Sequence, residues 1–152
     1  MKTIPVNVKY LHDVWKEHDL AYSTEYSAGV DLRACIDVPE LEIGPGEKAA
    51  IPAGLAIEIL EPSIAAYVFS RSGLGTKQGL TVSQGVGVID PDYRGEIKVS
   101  LLNTSGEVRR IERGQRIAQL VFMPVFQGAF QIVDQLGATD RGAGGFGSTG
   151  TI

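Results

Sequence analysis

The sequence of 152 residues contains one cysteine, Cys35, and two histidines, His12 and His18. A single cysteine excludes an internal disulfide and a zinc cluster ligated by cysteines. With both histidines close together near the N-terminus, we do not expect a histidine-based catalytic triad or a histidine-rich metal site. The scarcity of cysteine fits a reducing compartment, and we expect a cytoplasmic protein.

Long apolar runs are also absent. No run approaches the roughly 20 residues of a membrane-spanning helix, and residues 1–5 lack the apolar region of a signal peptide. We therefore expect no membrane association. The 14 basic and 18 acidic residues give a net charge of −4, which argues against a nucleic-acid-binding protein. A phosphate-bearing small ligand stays compatible with this charge, because it needs only a few local arginines.

Glycine is abundant and unevenly distributed. Of 19 glycines, four precede residue 70 and 15 lie between Gly73 and Gly150. Because glycine permits tight turns and close backbone approach, the second half of the chain is the first place to look for a functional site.

Short apolar runs separated by proline and glycine dominate the sequence. Strand-like runs lie at 4–10, 30–34, 55–60, 64–69, 80–83, 86–89, 97–101, 117–125 and 130–133. Strands at a spacing of about 8–12 residues predict an all-β sandwich or barrel. The helical signals are limited to short turns at 14–17 and 72–78.

Two stretches place charged side chains beside glycine, at 28–34 and 70–77. Asp31 can help to place a metal ion through water, although a strand with Asp31 and Arg33 on a solvated face is the simpler interpretation. The run Arg71-Ser72-Gly73 offers a guanidinium fork, a hydroxyl and accessible backbone N–H groups, which suit a phosphate cradle. An ordinary polar turn stays open as the alternative.

Two further stretches, at 85–96 and 140–150, combine glycine with reactive or aromatic side chains. The first predicts a hairpin in which Asp90, partly desolvated, can deprotonate a water. The alternatives are turn initiation at Asp90-Pro91 and a half-buried strand aromatic at Tyr93. The second places Arg141 and Phe146 in a Gly-rich tail. A lid that closes over a ligand would need such an arginine for an anion and such a phenylalanine for a flat ring. The alternative is a flexible linker, which a Gly-rich composition usually indicates.

Taken in order, these four stretches resemble four of the five motifs of the homotrimeric dUTP pyrophosphatase (dUTPase) family. The remaining motif resembles Gly-Gln-Arg-Ile-Ala-Gln-Leu at 114–120. The resemblance extends from about residue 28 to residue 150. Each motif alone is weakly specific, but five in the family's order and spacing are strongly specific.

The resemblance implies an all-β, jelly-roll-like distorted barrel over residues 1–139. It also implies a Gly-rich lid over 140–152, exchanged between the subunits of a homotrimer whose sites are shared. The implied reaction is hydrolysis of dUTP to dUMP and pyrophosphate by water attack at the α-phosphate, with Mg²⁺ as cofactor. Such an enzyme keeps uracil out of DNA and supplies dUMP for dTMP synthesis. This chemistry needs positioning and charge neutralisation, which fits the scarcity of histidine and cysteine.

The resemblance also implies roles for individual residues. Asp90 would activate the attacking water, and Asp31 would contact the metal through water. Tyr93 would pack under the deoxyribose and exclude a 2′-hydroxyl. The other implied positions are Arg71, Ser72, Gly73 and Gln119 at the phosphates, Gln84, Val88, Ile89 and Lys98 around uracil, and Arg141 and Ser148 at the γ-phosphate with Phe146 stacked on the base.

Two residues depart from the family pattern. Ser70 stands where a proline usually precedes Arg-Ser-Gly, and Gln84 stands where asparagine is usual. A dCTP deaminase-like enzyme shares the fold and the Ile-Asp-Pro segment, but its catalytic glutamate falls at Ser100 here. A non-catalytic nucleotide-binding or regulatory protein on the same fold is the other alternative, and it would have no need of Asp90.

Overall fold

The computed structural model describes residues 2–145, which form eleven short strands and two short helices. The strands are β1 Val6–Tyr10, β2 Gly29–Arg33, β3 Glu40–Ile43, β4 Lys48–Pro52, β5 Leu55–Ile59, β6 Ile64–Ser70, β7 Leu80–Val82, β8 Gly87–Ile89, β9 Lys98–Asn103, β10 Arg109–Glu112 and β11 Arg116–Pro124. The helices are α1 Val14–Glu17 and α2 Ser72–Gln78. The prediction of an all-β protein is confirmed, and neither helix is long and apolar enough to cross a membrane.

The strands form four antiparallel sheets. The largest has the order β2-β11-β6-β8, a second has the order β4-β9-β7, and the pairs β1-β5 and β10-β3 complete the set. Most paired strands are distant in the sequence, so the chain crosses repeatedly between sheets. This is the connectivity of a jelly-roll-like barrel, as the family resemblance implies.

Aliphatic side chains fill the space between the sheets. Leu32, Ile51, Ile97 and Leu101 are fully buried. Each contributes about 1.5–3 kcal/mol through burial. Asn103 is the one fully buried polar residue of the described chain, and its amide donates to the carbonyls of Ile43 and Glu107 at 2.8 and 2.7 Å.

Two sequence expectations about strands need correction. No strand forms at 130–133, where Phe130 and Ile132 are 97% and 102% exposed, because no other part of the described chain covers them. Conversely, the sequence does not predict β3, β4 and β10. Charged residues interrupt the short apolar pattern of β3 and β10, and β4 begins with a lysine and ends with a proline.

Candidate active site

Three neighbouring strands bring three of the motifs together. In the register of the largest sheet, Gln119 on β11 lies opposite Asp31 on β2 and opposite Phe69 on β6. Directly paired residues share one face of a sheet, so the side chains of Asp31 and Gln119 point the same way. Arg71 directly follows the last residue of β6. The motifs at 28–34, 70–77 and 114–120 therefore meet.

A cleft of about 320 Å³ lies where they meet. Its lining consists of Ser23, Ser27, Ala28, Gly29, Asp31, Arg71, Ser72, Gly73 and Gln119. Five of these are site residues that the sequence predicts. The sequence analysis does not identify Ser23 and Ser27 as lining residues, because their loop has no recognisable motif. The one indication in the sequence is that this loop directly precedes the first motif, at 28–34.

Asp31 is held by two arginines at the cleft. Arg71 Nε donates to Oδ1 at 2.8 Å and Arg116 Nη1 donates to Oδ2 at 3.0 Å. Arg33 lies nearby and donates to the Gly114 carbonyl at 2.7 Å. The predicted alternation of β2 is confirmed, since Val30 and Leu32 are buried while Asp31 and Arg33 lie on the outer face, where both are half-buried and hydrogen bonded.

The electrostatics of this cluster favour an anion. Burial lowers the pKa of the Arg33 guanidinium, and the positive charges of Arg116 and Arg71 lower this pKa further. Arginine nevertheless stays protonated in proteins. Three guanidinium groups around one carboxylate leave positive charge in excess, which suits a phosphate chain.

The start of α2 presents backbone donors to the same cleft. Arg71 is extended, with φ −85° and ψ 130°, and within the described chain no side chain caps the helix that begins at Ser72. The first N–H groups of a helix have no partner within the helix. A Cβ added at Gly73 would meet no atom of residues 2–145 within 4 Å apart from its chain neighbours and the backbone of its own helix. Glycine there keeps the cleft side of the backbone open, as phosphate binding requires.

Ser70 connects this cleft with β7. Its Oγ accepts the Val82 N–H at 2.8 Å, and its carbonyl accepts Gln119 Nε2 at 3.1 Å. A proline at position 70 would have no hydroxyl to accept the Val82 amide. At Gly29, an added Cβ would come within 2.8 Å of Gln119 Oε1, so a larger residue would displace that side chain.

The segment 85–96 is not a hairpin. Strand β8 pairs with β6, whereas β9 pairs with β4 and β7, so the intervening loop passes between two sheets. The Tyr93 N–H donates to the Asp90 carbonyl at 3.1 Å, which confirms turn initiation at Asp90-Pro91. Asp90 is exposed, contrary to the expected partial desolvation. The reason is that β8 is an edge strand, and the described chain does not cover it.

Side-chain hydrogen bonds fix this loop. Tyr93 Oη donates to the Glu96 carbonyl at 3.0 Å, and a Cβ added at Gly95 would clash with the tyrosine ring. Arg94 donates to the carbonyls of Pro91 and Tyr93 at 2.8 and 3.0 Å. Tyr93 lies outside any strand and is 43% exposed, so the strand-aromatic interpretation is wrong. Its ring is a fixed, accessible surface.

The residues predicted to surround a base lie away from the cleft of their own chain. None of Gln84, Val88, Ile89 and Lys98 lines that cleft, and neither do Asp90 and Tyr93. Gln84 is exposed, and its Oε1 accepts the Ser83 hydroxyl at 3.0 Å. Ser83 Oγ also lies 2.8 Å from Ser100 Oγ. A single chain therefore brings together the residues predicted to bind the phosphates, but it does not bring the residues predicted to surround the base to the same cleft.

The C-terminal candidates are likewise separate. Arg141 is exposed and its Nε donates to the Gly144 carbonyl at 3.0 Å, within the tail itself. Phe146 and Ser148 lie outside the described residues. Within residues 2–145, no three His, Cys, Asp or Glu side chains are grouped to hold a metal ion. Among these described residues, Asp31 is the one carboxylate lining the cleft, so a cation there would need oxygen ligands from a bound phosphate.

Comparison with known proteins agrees with this geometry. A family model described as dUTPase matches residues 16–150. The chain is 50% identical to a deoxyuridine 5′-triphosphate nucleotidohydrolase of Desulfitobacterium hafniense, over 99% of both sequences. The Staphylococcus bacteriophage 80alpha dUTPase with dUPNHPP superposes with a TM-score of 0.85 at 26% identity, covering 97% of this chain and 99% of the phage chain. A mutant dUTPase of phage phi11, which coordinates a structural Mg(II) ion, shares the fold at 22% identity, with a TM-score of 0.76 over 88% of this chain and 99% of its own.

Proposed function

The chain belongs to the dUTPase family, and we propose that the cleft between β2, β6, β11 and the start of α2 is the triphosphate site of a dUTP nucleotidohydrolase. The observation that carries this proposal is the convergence of three distant motifs on one cleft, beside a cluster of three arginines. The reaction is hydrolysis of dUTP to dUMP and pyrophosphate. Its substrate is a DNA precursor, so we place the enzyme in the cytoplasm, where it keeps uracil out of DNA and supplies dUMP.

We assign the phosphates to donors that already face the cleft. The guanidinium of Arg71 and the backbone N–H groups of Ser72 and Gly73 bind phosphate oxygens, and Gln119 adds an amide donor. These groups are fixed before the substrate arrives, so they stabilise the charge that develops on the phosphates at little cost in reorganisation.

Magnesium fits this site only together with the substrate. Asp31 is the single carboxylate that the described part of the chain places at the cleft, and one carboxylate with water and phosphate oxygens is the donor set that Mg²⁺ prefers. Asp31 would then contact the ion through a water, and Arg71 would hold the phosphates beside it. When bound, the ion neutralises phosphate charge.

Asp90 is our candidate for the general base. It lies exposed at the end of β8, in a turn fixed by the Tyr93 amide and by Arg94. In this assignment Asp90 takes a proton from a water, whose oxygen then bonds to the α-phosphorus while the bond to the bridging oxygen breaks. Pyrophosphate leaves, and dUMP carries the new oxygen.

The base site is assigned to the open edge of β8. This strand pairs with β6 on one side, so the backbone N–H and C=O groups of its other side can bind uracil near Val88 and Ile89. Gln84 and Lys98 flank this edge in the proposal. The exposed ring of Tyr93 supports the deoxyribose and leaves no room for a 2′-hydroxyl.

A complete site would require more than one chain, and we propose a homotrimer with shared sites. Asp90 and Tyr93 do not line the cleft of their own chain. The segment before the tail exposes large apolar side chains, with Phe126 at 96%, Ile132 at 102% and Leu136 at 89%. An exposed apolar surface of this kind is typical of protein–protein contact. We further propose that the tail bearing Arg141, Phe146 and Ser148 closes a neighbour's site.

Pyrophosphate release from dUTP, dTTP, dCTP and UTP, with and without Mg²⁺, tests this function. We expect release from dUTP that depends on Mg²⁺ and little release from the other three. Equal rates with UTP would contradict the role given to Tyr93. Ammonia release from dCTP would instead support the deaminase alternative, which the serine at position 100 disfavours.

A further inference from the structure

Arg116 owes its orientation to a β-bulge in β11. Arg116 lies opposite Arg33, but Ala118 already lies opposite Leu32, so β11 has one extra residue between these pairs. Ile117 and Ala118 are consequently both buried, at 1% and 0% exposure. In a regular strand successive residues face opposite sides, so Arg116, three positions before Gln119, would face away from it. The bulge turns Arg116 to the outer face that Gln119 and Asp31 share.

On that face, Arg116 closes a ring of hydrogen bonds with Asp31 and Arg71. Arg116 Nη1 donates to Asp31 Oδ2 at 3.0 Å, and Arg71 Nε donates to Asp31 Oδ1 at 2.8 Å. Arg71 Nη1 in turn points to the Arg116 carbonyl at 3.5 Å. Both oxygens of the carboxylate are thereby engaged, which fixes its rotation.

The ring leaves the outer N–H groups of the Arg71 guanidinium accessible to a ligand. Asp31 takes the Nε–H at the side of the guanidinium, and Arg71 Nη2 has no hydrogen-bond partner within residues 2–145. The outer N–H groups can therefore bind phosphate oxygens in pairs. Arg116 itself does not line the cleft, and its Nη1 is engaged by Asp31.

We infer that Arg116 is a positioning residue of the triphosphate site: through Asp31, it holds the Arg71 guanidinium in the orientation that binds phosphate. This inference rests on the proposed function, because it concerns the same cleft. It explains why a bulge interrupts β11 beside the cleft. It also gives Asp31 a second task besides the one toward a metal ion.

Binding of the non-hydrolysable analogue dUpNHpp tests the inference by calorimetry, in the wild type and in Arg116→Gln. Loss of one charge-assisted hydrogen bond that orients Arg71 should weaken binding about tenfold. The matched control is Arg110→Gln, which removes the same charge from an exposed arginine whose Nε bonds Glu42 at 3.0 Å in another sheet. The control should stay within about twofold of the wild type.

The decisive comparison repeats Arg116→Gln in an Asp31→Asn background. If Arg116 acts through Asp31, the second substitution adds less than about twofold there, since coupled residues are not additive. A full tenfold effect in both backgrounds would mean that Arg116 acts on the phosphates independently, which overturns the inference. Deoxyuridine, which lacks phosphates, should bind equally to the wild type and to Arg116→Gln.

Arg116→Lys separates charge from geometry and replaces the glutamine variant if the latter does not fold. We expect several-fold weaker binding, because an ammonium lacks the planar fork. Wild-type affinity in the lysine variant would refute the positioning role. The proposed function and the positioning role of Arg116 can be contradicted independently. Wild-type protein that binds dUpNHpp but does not hydrolyse dUTP would contradict the proposed function alone. An active enzyme unaffected by Arg116→Gln contradicts the inference alone.

Discussion

Replacing Ser70 with alanine should destabilise the fold at the point where the cleft meets β7. The Ser70 hydroxyl accepts the backbone N–H of Val82 at 2.8 Å, and Val82 is 3% exposed. Alanine leaves that buried N–H without a partner, which costs about 1–3 kcal/mol in free energy of unfolding. For a domain of this size, each kcal/mol lowers Tm by about 2–4 °C.

Thermal unfolding followed by circular dichroism measures this change, at one protein concentration because self-association raises Tm. The matched control is Ser63→Ala, in which an exposed serine loses a 2.9 Å hydrogen bond to Glu61. We expect the control to change stability by less than about 0.5 kcal/mol. Equal Tm values for the two variants would refute the reasoning that the Ser70–Val82 contact is a buried and necessary bond.

Three further predictions follow from the geometry. Asp90→Asn should reduce kcat by at least about a hundredfold while dUpNHpp affinity stays within a few fold, because the amide cannot accept the proton of the water; unchanged turnover in a steady-state assay would remove Asp90 from the mechanism. Deletion of residues 140–152 should leave a folded oligomer, seen by light scattering, with little activity, since the described part of this tail, residues 140–145, is exposed; full activity would refute the lid. Burial raises the pKa of the Cys35 thiol from the ordinary 9.0 to about 11. At pH 9 the native protein should therefore react with iodoacetamide far more slowly than the urea-unfolded protein does. The contribution of this thiol to the free energy of unfolding should decline as the pH rises from 9 toward 11, because the unfolded state loses the proton first. Rapid labelling of the native protein would contradict this.

The strands that build the cleft could be predicted because β2 alternates between apolar and charged residues, and because β6 and β11 are short, mostly apolar runs. β2, β6 and β11 carry apolar residues on the buried face, and the motif residues lie on the other face or just past a strand end. Asp31 and Arg71 could be singled out from the residues themselves, whereas Gln119 came only from the family resemblance; all three line the cleft. The resemblance to a known family was needed to say which phosphates they would hold.

The contacts between strands could not be predicted from sequence alone. The bulge at Ile117 depends on two adjacent residues being buried together, and an alternating pattern does not reveal it. The Ser70–Val82 bond likewise depends on the path of β7 beside the end of β6. The prediction of a strand at 130–133 was wrong because an apolar run has the same sequence signal whether its own chain covers it or leaves it exposed.

Hydrolysis of dUTP in water enriched in ¹⁸O tests whether water attacks the α-phosphorus at this cleft. We expect dUMP and pyrophosphate as products, with one ¹⁸O atom per turnover in dUMP and none in pyrophosphate, measured by mass spectrometry. Label in pyrophosphate would place the attack at the β-phosphorus, and release of orthophosphate would place it at the γ-phosphorus. Either result would contradict the assignment of the cleft and Asp90 to chemistry at the α-phosphate.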